Sequence, residues 1–486
     1  MKFSSLPFTT FLLAAIICTA IHSFGQDVSA ESHSSSSSNG EQRNVTRWRN
    51  STGGTDFNIE SRGTIELTDD DKDVKNLSND GYLEITKTVF GARRSIVIES
   101  LGGGKVKKEY YEGRTKMEWE PNGKNWLGEI LPEIVRSSTL GAEGRVNRLF
   151  QKGGSAAVLN ELDELKGDYT RAHYAKLLLE KNIPAADMAT VVTSIAENIH
   201  SDYYLASVYQ NYVNKMLVTP ASANAFYQGT QRISSDYYKA AVLKEALKKF
   251  SASPAQVKTI LQSAASIKSD YYLSVVLIAL LEEGDVKDGS LTELLSVSAN
   301  IPSAYYRSQV LAKALEKKGL SPRAQKEMIN ALSGVSSDYY KTGVVTKMSE
   351  SGTIDNGVQS DLITLVSKSV SSDYYSSIAL KSLLEHQKLT DEAFRQVVTA
   401  GGNLNSANYA SEVLKRAARE QLSKGQLTDL LKASGNINSD HYLSEVLTSL
   451  APQVKNSDAQ VKEAYRQAAK RINNDTYYGR ALKAID

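Results

Sequence analysis

The chain is poor in the residues that carry most protein chemistry. Of 486 residues one is cysteine, Cys18, and six are histidine. Cys18 lies in the apolar N-terminal stretch described below, so the exported chain would hold no thiol, which excludes a disulfide framework, a cysteine nucleophile and a thiolate metal site. His33, His173, His200, His386 and His441 stand far apart, none in an HExxH pair or another close ligand spacing. No GxSxG elbow, P-loop or Rossmann glycine pattern occurs, and the glycine run LGGGK at 101–105 has the setting of a hairpin turn, not of a phosphate loop. Net charge is also missing. The 57 Lys and Arg against 55 Asp and Glu leave +2, too balanced for a nucleic-acid binder or a polybasic membrane anchor. The carboxylates follow a repeat, so no single pair stands out for acid–base work. The expectation is a non-enzymatic protein with no catalytic, cofactor-binding or metal-ligating residue.

Long hydrophobic runs are absent too, apart from one short one at the start. Lys2, the apolar stretch Phe8 to Ala20 and the small residues of Ser23-Phe24-Gly25 have the form of a signal peptide over 1–25, cleaved before Gln26. The run is too short to cross a bilayer comfortably, so the mature chain is expected to have no membrane span and to be exported, periplasmic or extracellular. Cys18 could mark a lipoprotein signal, but bulky Ile17 precedes it where a small residue belongs, and a lipoprotein is not expected. Residues 26–43, with five consecutive serines from Ser34 to Ser38, read as a disordered linker.

Over 44–122 the pattern has period two. DFNIESRGTIELTDDD, GYLEITKTV, SIVIES and KVKKEYYEG alternate or cluster β-branched residues between NDG, FGA and GGG turns. This predicts a small antiparallel β domain of five to seven strands. Asp69, Asp71 and Asp73 alternate as Ca²⁺ ligands could, yet Val74 stands where an EF-hand needs glycine and Asp80 where it needs glutamate. An acidic turn is the better reading.

From 123 to the end helical periodicity takes over, and one motif returns: SDYY, first complete at Ser201-Asp202-Tyr203-Tyr204. Its aspartate position falls at 168, 202, 236, 270, 304, 338, 373, 407, 440 and 475, a spacing of 33 to 35 residues. That is the length of a helix–turn–helix repeat. The fold class expected is mainly α: an αα-hairpin repeat solenoid of about ten 34-residue units, preceded by the β domain. The tetratricopeptide signature is missing. Serine before the aspartate position is an N-cap, and the acid, replaced by Ala304 and Ala407, complements the positive helix end. Thr219-Pro220, Ser253-Pro254 and Ser321-Pro322 start the other helix of a unit, with capping boxes at Ser253, Ser290 and Ser423. Gly284, Gly319 and Gly352 suit left-handed helix ends.

The two tyrosines of the motif differ. The second recurs in nine of ten units and is followed at four and eight residues by apolar positions, as in Tyr272, Val276 and Leu280, which predicts a core face. The first, at Tyr203, Tyr237, Tyr271, Tyr305, Tyr339 and Tyr374, gives way late in the chain to Asn408, His441 and Thr476. A position that accepts those residues is expected to be partly exposed, so stacked units would display a row of tyrosines. That row either packs one repeat on the next or grips a peptide, a glycan or a protein partner.

IELTDDDKDVKNLSNDGYLEI, then WLGEILPEIVRSSTLGAEGRVNRLFQKGGSAAVLNEL, then SDY-type repeats resemble the extracytoplasmic C-terminal region of bacterial membrane metallopeptidases of the antirepressor (blaR-type) class, from Ile65 to the C-terminus. The HExxH and the membrane helices of that family are absent, so neither peptidase activity nor membrane embedding carries over. The resemblance implies a bacterial, envelope-facing module that senses or binds. The function expected is an exported scaffold whose solenoid binds a protein or peptide partner. The alternative is an envelope glycan-binding protein that uses the tyrosine row.

Overall fold

Alternating residues on a strand and i, i+3, i+4 residues on a helix demand different partners, and the chain supplies both. The computed structural model describes residues 28–38, 41–52, 55–317 and 319–486. The expected signal peptide and Cys18 lie outside them. Two compact units emerge, one up to Lys152 together with Glu164–Lys166, the other Gly153–Asp163 with Gly167–Asp486.

Among the described residues of the first unit nine strands run β1 (Val28–Ser38), β2 (Glu41–Thr52), β3 (Thr55–Arg62), β4 (Ile65–Leu67), β5 (Val74–Leu77), β6 (Tyr82–Val89), β7 (Ala92–Gly102), β8 (Lys105–Glu112) and β9 (Thr115–Met117). The main sheet is antiparallel in the order β1-β2-β3-β6-β7-β8-β9, with β4-β5 as a separate ribbon. The serine-rich stretch expected as a disordered linker therefore holds β1, whose ladder with β2 runs through backbone groups and needs no apolar side chain. One face of the sheet is apolar: Ile59, Leu83, Ile85, Ile96 and Ile98 are buried there. Helix α1 (Lys124–Ser137) covers that core with Leu127, Ile130, Leu131 and Ile134, spaced i, i+3, i+4, i+7. This explains why the first unit continues to Lys152 and does not stop at 122, where strand periodicity ends. A sheet with one apolar face must bury it against something. LGGGK does form the β7–β8 turn, with Gly102, Gly103 and Gly104 all at positive φ. In the acidic turn Asp71 is held by Arg145, at 2.9 Å, and Arg148, and Asp73 by Lys108 at 2.6 Å.

The helical run α2 (Ala142–Glu164) breaks at Gly153-Gly154, where φ of +63° at Gly154 is open to glycine far more readily than to other residues. Beyond it lies the solenoid. A first helix of each repeat, here called A, begins at Asp168, Asp202, Asp236, Asp270, Ala304, Asp338, Asp373, Ala407, Asp440 and Asp475. The second helix, B, begins at Met188, Pro220, Pro254, Asp288, Pro322, Asn356, Asp391, Lys424 and Ala459. Among the described residues there are thus nine helical pairs and a final unpaired A helix, one half-unit short of the ten expected. A helices pack on neighbouring A helices and B on B, so each pair covers its apolar stripe with the next. In the Asp270 repeat Val276, Leu277, Leu280, Leu294 and Leu295 are fully buried, each such side chain contributing about 1.5–3 kcal/mol.

The local signals are met unevenly. Proline opens the B helices at Pro220, Pro254 and Pro322, and reciprocal capping boxes form at Ser253 and Ser423. Ser290 instead lies inside its helix, which starts two residues earlier at Asp288. Of the three glycines expected to end helices in the left-handed region only Gly319 has a positive φ, +71°, and it lies beyond the helix end, which falls at Ala314 with Leu315 as the cap.

Candidate binding edge

The A helices open on variants of one four-residue phrase, complete as Ser-Asp-Tyr-Tyr in five of the ten, and the structure gives each position a separate task. Serine caps: the side chains of Ser235, Ser269, Ser303, Ser337 and Ser439 accept from the amide of the second tyrosine. The aspartate reaches out of its own repeat. Asp202 accepts the amides of Ser234 and Ser235 at 2.9 and 2.6 Å, Asp236 those of Lys268 and Ser269 at 3.0 and 2.8 Å, and Asp338 those of Ser371 and Ser372 at 3.0 and 2.9 Å. Asp168, Asp270, Asp373 and Asp440 do the same for their successors. The carboxylate, expected to answer its own helix dipole, is an inter-repeat staple that satisfies backbone donors in the next turn. Where it is missing, other groups bridge. In the Ala304 repeat the buried Arg307 donates to the carbonyls of Ala299, Ile301 and Ala331. Beyond Ala407, Asn436 donates to Asn403 of the preceding turn at 2.9 Å.

The second tyrosine is half-buried at the rim, not in the core. Its place in the first helical turn puts it at the edge of the stack, and the interior is filled one and two turns further on, by Val276, Leu277 and Leu280 in the Asp270 repeat. The fully buried tyrosines of the solenoid are others: Tyr174, Tyr209, Tyr227 and Tyr465. The first tyrosine is exposed. Tyr203, Tyr237, Tyr271, Tyr305, Tyr339 and Tyr374 have 47–58% of their surface in solvent, and they are six of the ten most exposed large apolar side chains among the described residues.

The rings form one ribbon. Tyr203 meets Tyr204 of its own repeat at 5.1 Å between centroids and Tyr238 of the next at 6.0 Å. The same two contacts recur at Tyr237, Tyr271, Tyr305, Tyr339 and Tyr374, all at 5.0–6.1 Å with planes inclined 60–69°. With Tyr169 at one end, joined to Tyr204, and Tyr409 at the other, the chain of rings is unbroken. These are edge-to-face pairs, worth about 0.5–1.5 kcal/mol each, so the row stiffens the edge and is displayed on it at once. Asn408 interrupts the ribbon, and His441 resumes it against Tyr442 and Tyr477.

Charge is kept to the ends of this strip, where Lys176 donates to Ser207 at 3.3 Å and Lys381 lies beside Ile378. One helical turn beyond the six exposed tyrosines stand Ser207, Ala241, Val275, Gln309, Gly343 and Ile378, all uncharged. Where the tyrosine is replaced, the same position becomes Glu412 and Glu445, tied to Lys381 and Lys415 of the preceding repeats at 2.6 and 2.8 Å. The staple carboxylates are occupied by amides. Burial, with Tyr203 and Asp168 nearby, raises the pKa of the Tyr204 hydroxyl and keeps it neutral.

In several repeats the opposite turn uses glutamine, which no sequence signal singled out. Gln359 donates to the Lys388 carbonyl at 3.0 Å and accepts the Thr390 amide at 3.0 Å, and Gln325 links Thr353 and Asp355 in the same way. Their 34-residue separation is the trace that could have revealed them. A groove of about 560 Å³ near Glu350, Lys381, Glu385, His386 and Arg416 is lined by charges that already pair, such as Arg416 with Glu385 at 3.1 Å. Among the described residues no three His, Cys, Asp or Glu side chains gather as a metal site, and no helix is long and apolar enough to cross a membrane.

No family model matches the chain, and no curated protein matches it significantly. Among solved structures it is similar to a chain of the Chs5-Bch1 exomer cargo adaptor complex, at 9% identity and TM-score 0.18 over 85% of this chain and 82% of that one. A circular tandem repeat protein with novel repeat topology gives 12% identity and TM-score 0.15, covering 75% and 78%. A chain from the computational design of self-assembling cyclic homooligomers gives 13% and 0.09, covering 71% and 96%. Scores this low add nothing to the architecture described above.

Proposed function

We propose that this chain is an exported, non-enzymatic interaction scaffold of the cell envelope, whose solenoid binds a protein or peptide partner along the tyrosine edge. One observation carries the reading. Large aromatic side chains are expensive to leave in water, yet six are left half-exposed in register on a single edge, whereas the other exposed large apolar residues among the described ones, Val89, Phe90, Leu101 and Val218, follow no repeat. Aligned exposed aromatics are the mark of recognition surfaces. The resemblance to the antirepressor-type extracytoplasmic region and the N-terminal signal pattern support a place outside the cytoplasm and a sensing or docking role without peptidase chemistry.

The test replaces Tyr203, Tyr237, Tyr271, Tyr305 and Tyr339 together by Asn, the residue the chain itself carries at 408. Immobilised wild type is expected to retain a specific protein from an envelope extract of the source cells, and the variant to lose it while its helical circular dichroism persists. Equal retention by both proteins would remove the tyrosine edge from the account.

A further inference from the structure

The geometry of the ribbon also narrows the partner, on the premise that the edge binds one. Tyr203 and Tyr237 both touch Tyr238, at 6.0 and 5.0 Å, so two exposed rings form walls and a half-buried ring forms the floor between them. Four more such notches follow, floored by Tyr272, Tyr306, Tyr340 and Tyr375. Because adjoining rings are inclined by 60–69°, the edge is a set of slats and not one flat platform.

We infer that these notches receive an uncharged, proline-rich segment in the polyproline II conformation, one turn of it per repeat. Three properties of the edge converge on that chemistry. The first is period. Packed helices lie about 8–10 Å apart, and a polyproline II turn of three residues advances about 9 Å. A β-strand presents one face every 7 Å or so, and an α-helix rises about 5.4 Å per turn, so both lose register within two repeats. The second is shape, since aromatic-lined grooves seat the rigid ridges of such a helix at little entropic cost. The third is polarity. The position one turn beyond each exposed tyrosine, from Ser207 to Ile378, is uncharged, with ammonium groups only at the two ends, Lys176 on Ser207 at 3.3 Å and Lys381 beside Ile378, and the rings themselves carry O–H donors. A proline-rich backbone has free carbonyl acceptors, few N–H donors and no internal hydrogen bonds.

The experiment is calorimetric titration of the full-length mature protein with synthetic proline oligomers of 6, 9 and 15 residues. A Gly-Ser peptide of 15 residues and a chito-oligosaccharide serve as comparisons. Affinity is expected to rise with length until the five notches are filled, at about 15 residues. The five-fold Tyr→Asn variant should bind the longest oligomer at least tenfold more weakly. Should that variant misfold, Tyr271→Asn alone removes the two notches that share this ring, and should bring the 15-residue oligomer down toward the affinity of the 6-residue one. Three results overturn the inference: a 15-residue oligomer that binds no tighter than the 6-residue one, equal binding of the Gly-Ser peptide, or binding of the oligosaccharide in place of proline. If the proline oligomers fail while envelope capture still depends on the tyrosines, the partner class is wrong and the scaffold reading stands. If capture is also indifferent to the tyrosines, both fall.

Discussion

Each repeat turns twice, and the two turns are built on different principles. The turn from B to A ends in one short phrase or a close variant of it, a serine cap, a carboxylate that staples the next turn, and two tyrosines that join the ribbon. The turn from A to B varies from 217–219 to 180–187, and its links between repeats change in kind, from the Asp285 amide on the Ala252 carbonyl and Ser251 on the Glu283 carbonyl to the side chains of Gln325 and Gln359. One edge repeats its chemistry and the other only its packing. A structural joint needs only that its backbone groups be satisfied, which many residues can do. The exposed rings add edge contacts, yet the Ala407 repeat folds with Asn408 in their place, so a row this regular is more than the joint requires.

The contrast can be broken or sharpened by experiment. The largest effect is expected from deletion. Removing Asp270–Ser303, one unit with both turns renewed, should leave a shorter cooperative solenoid, whereas removing only 270–285 exposes an apolar face and should give aggregation in size-exclusion chromatography. Equal collapse of both would contradict nearest-neighbour stacking.

Next come the staples. Asp338→Ala strands the amides of Ser371 and Ser372, and Gln359→Ala strands the Lys388 carbonyl and the Thr390 amide. Each is expected to cost about 1–3 kcal/mol in urea unfolding. Neither variant should alter partner capture, because neither removes an exposed ring.

Smaller effects separate the tyrosines. Tyr272→Ala should cost about 1–2 kcal/mol, the half-buried ring losing area and two edge contacts, and Tyr271→Ala less than 1 kcal/mol. A reversed order would place the first tyrosine in the structural joint. Smallest is a gain. Ala304→Asp restores an acceptor for the turn before the Asp338 helix and should add about 0.5–1 kcal/mol, read as a raised urea midpoint.

The architecture was legible because a repeat writes its period ten times over. Spacing placed the A helices, the Thr-Pro and Ser-Pro pairs opened the B helices, and the tolerance of Asn408, His441 and Thr476 marked the first tyrosine as exposed. What the sequence hid depends on neighbours in space. The four- and eight-residue spacing after Tyr272 reads as a single buried stripe, yet the first turn of a helix at the edge of a stack faces half outward. The role of Asp202 was invisible because its amide partners lie 32 and 33 residues away, and nothing local marks a carboxylate that bonds across a repeat. The extent of the first unit was missed for a related reason. The helix from Lys124 belongs to the sheet through Leu127 and Leu131, and periodicity names a helix without saying what it covers.

The central claim, that the first tyrosines form a displayed surface which a partner covers, is tested most directly by tyrosine footprinting. Mild nitration followed by peptide mass spectrometry is applied to the protein alone and again in the presence of envelope extract. The account expects modification of Tyr203, Tyr237, Tyr271, Tyr305, Tyr339 and Tyr374 in the free protein, none at buried Tyr174, Tyr209 or Tyr465, and protection of the six when the extract is present. Six tyrosines that resist nitration when free, or that react equally with the extract present, would contradict it.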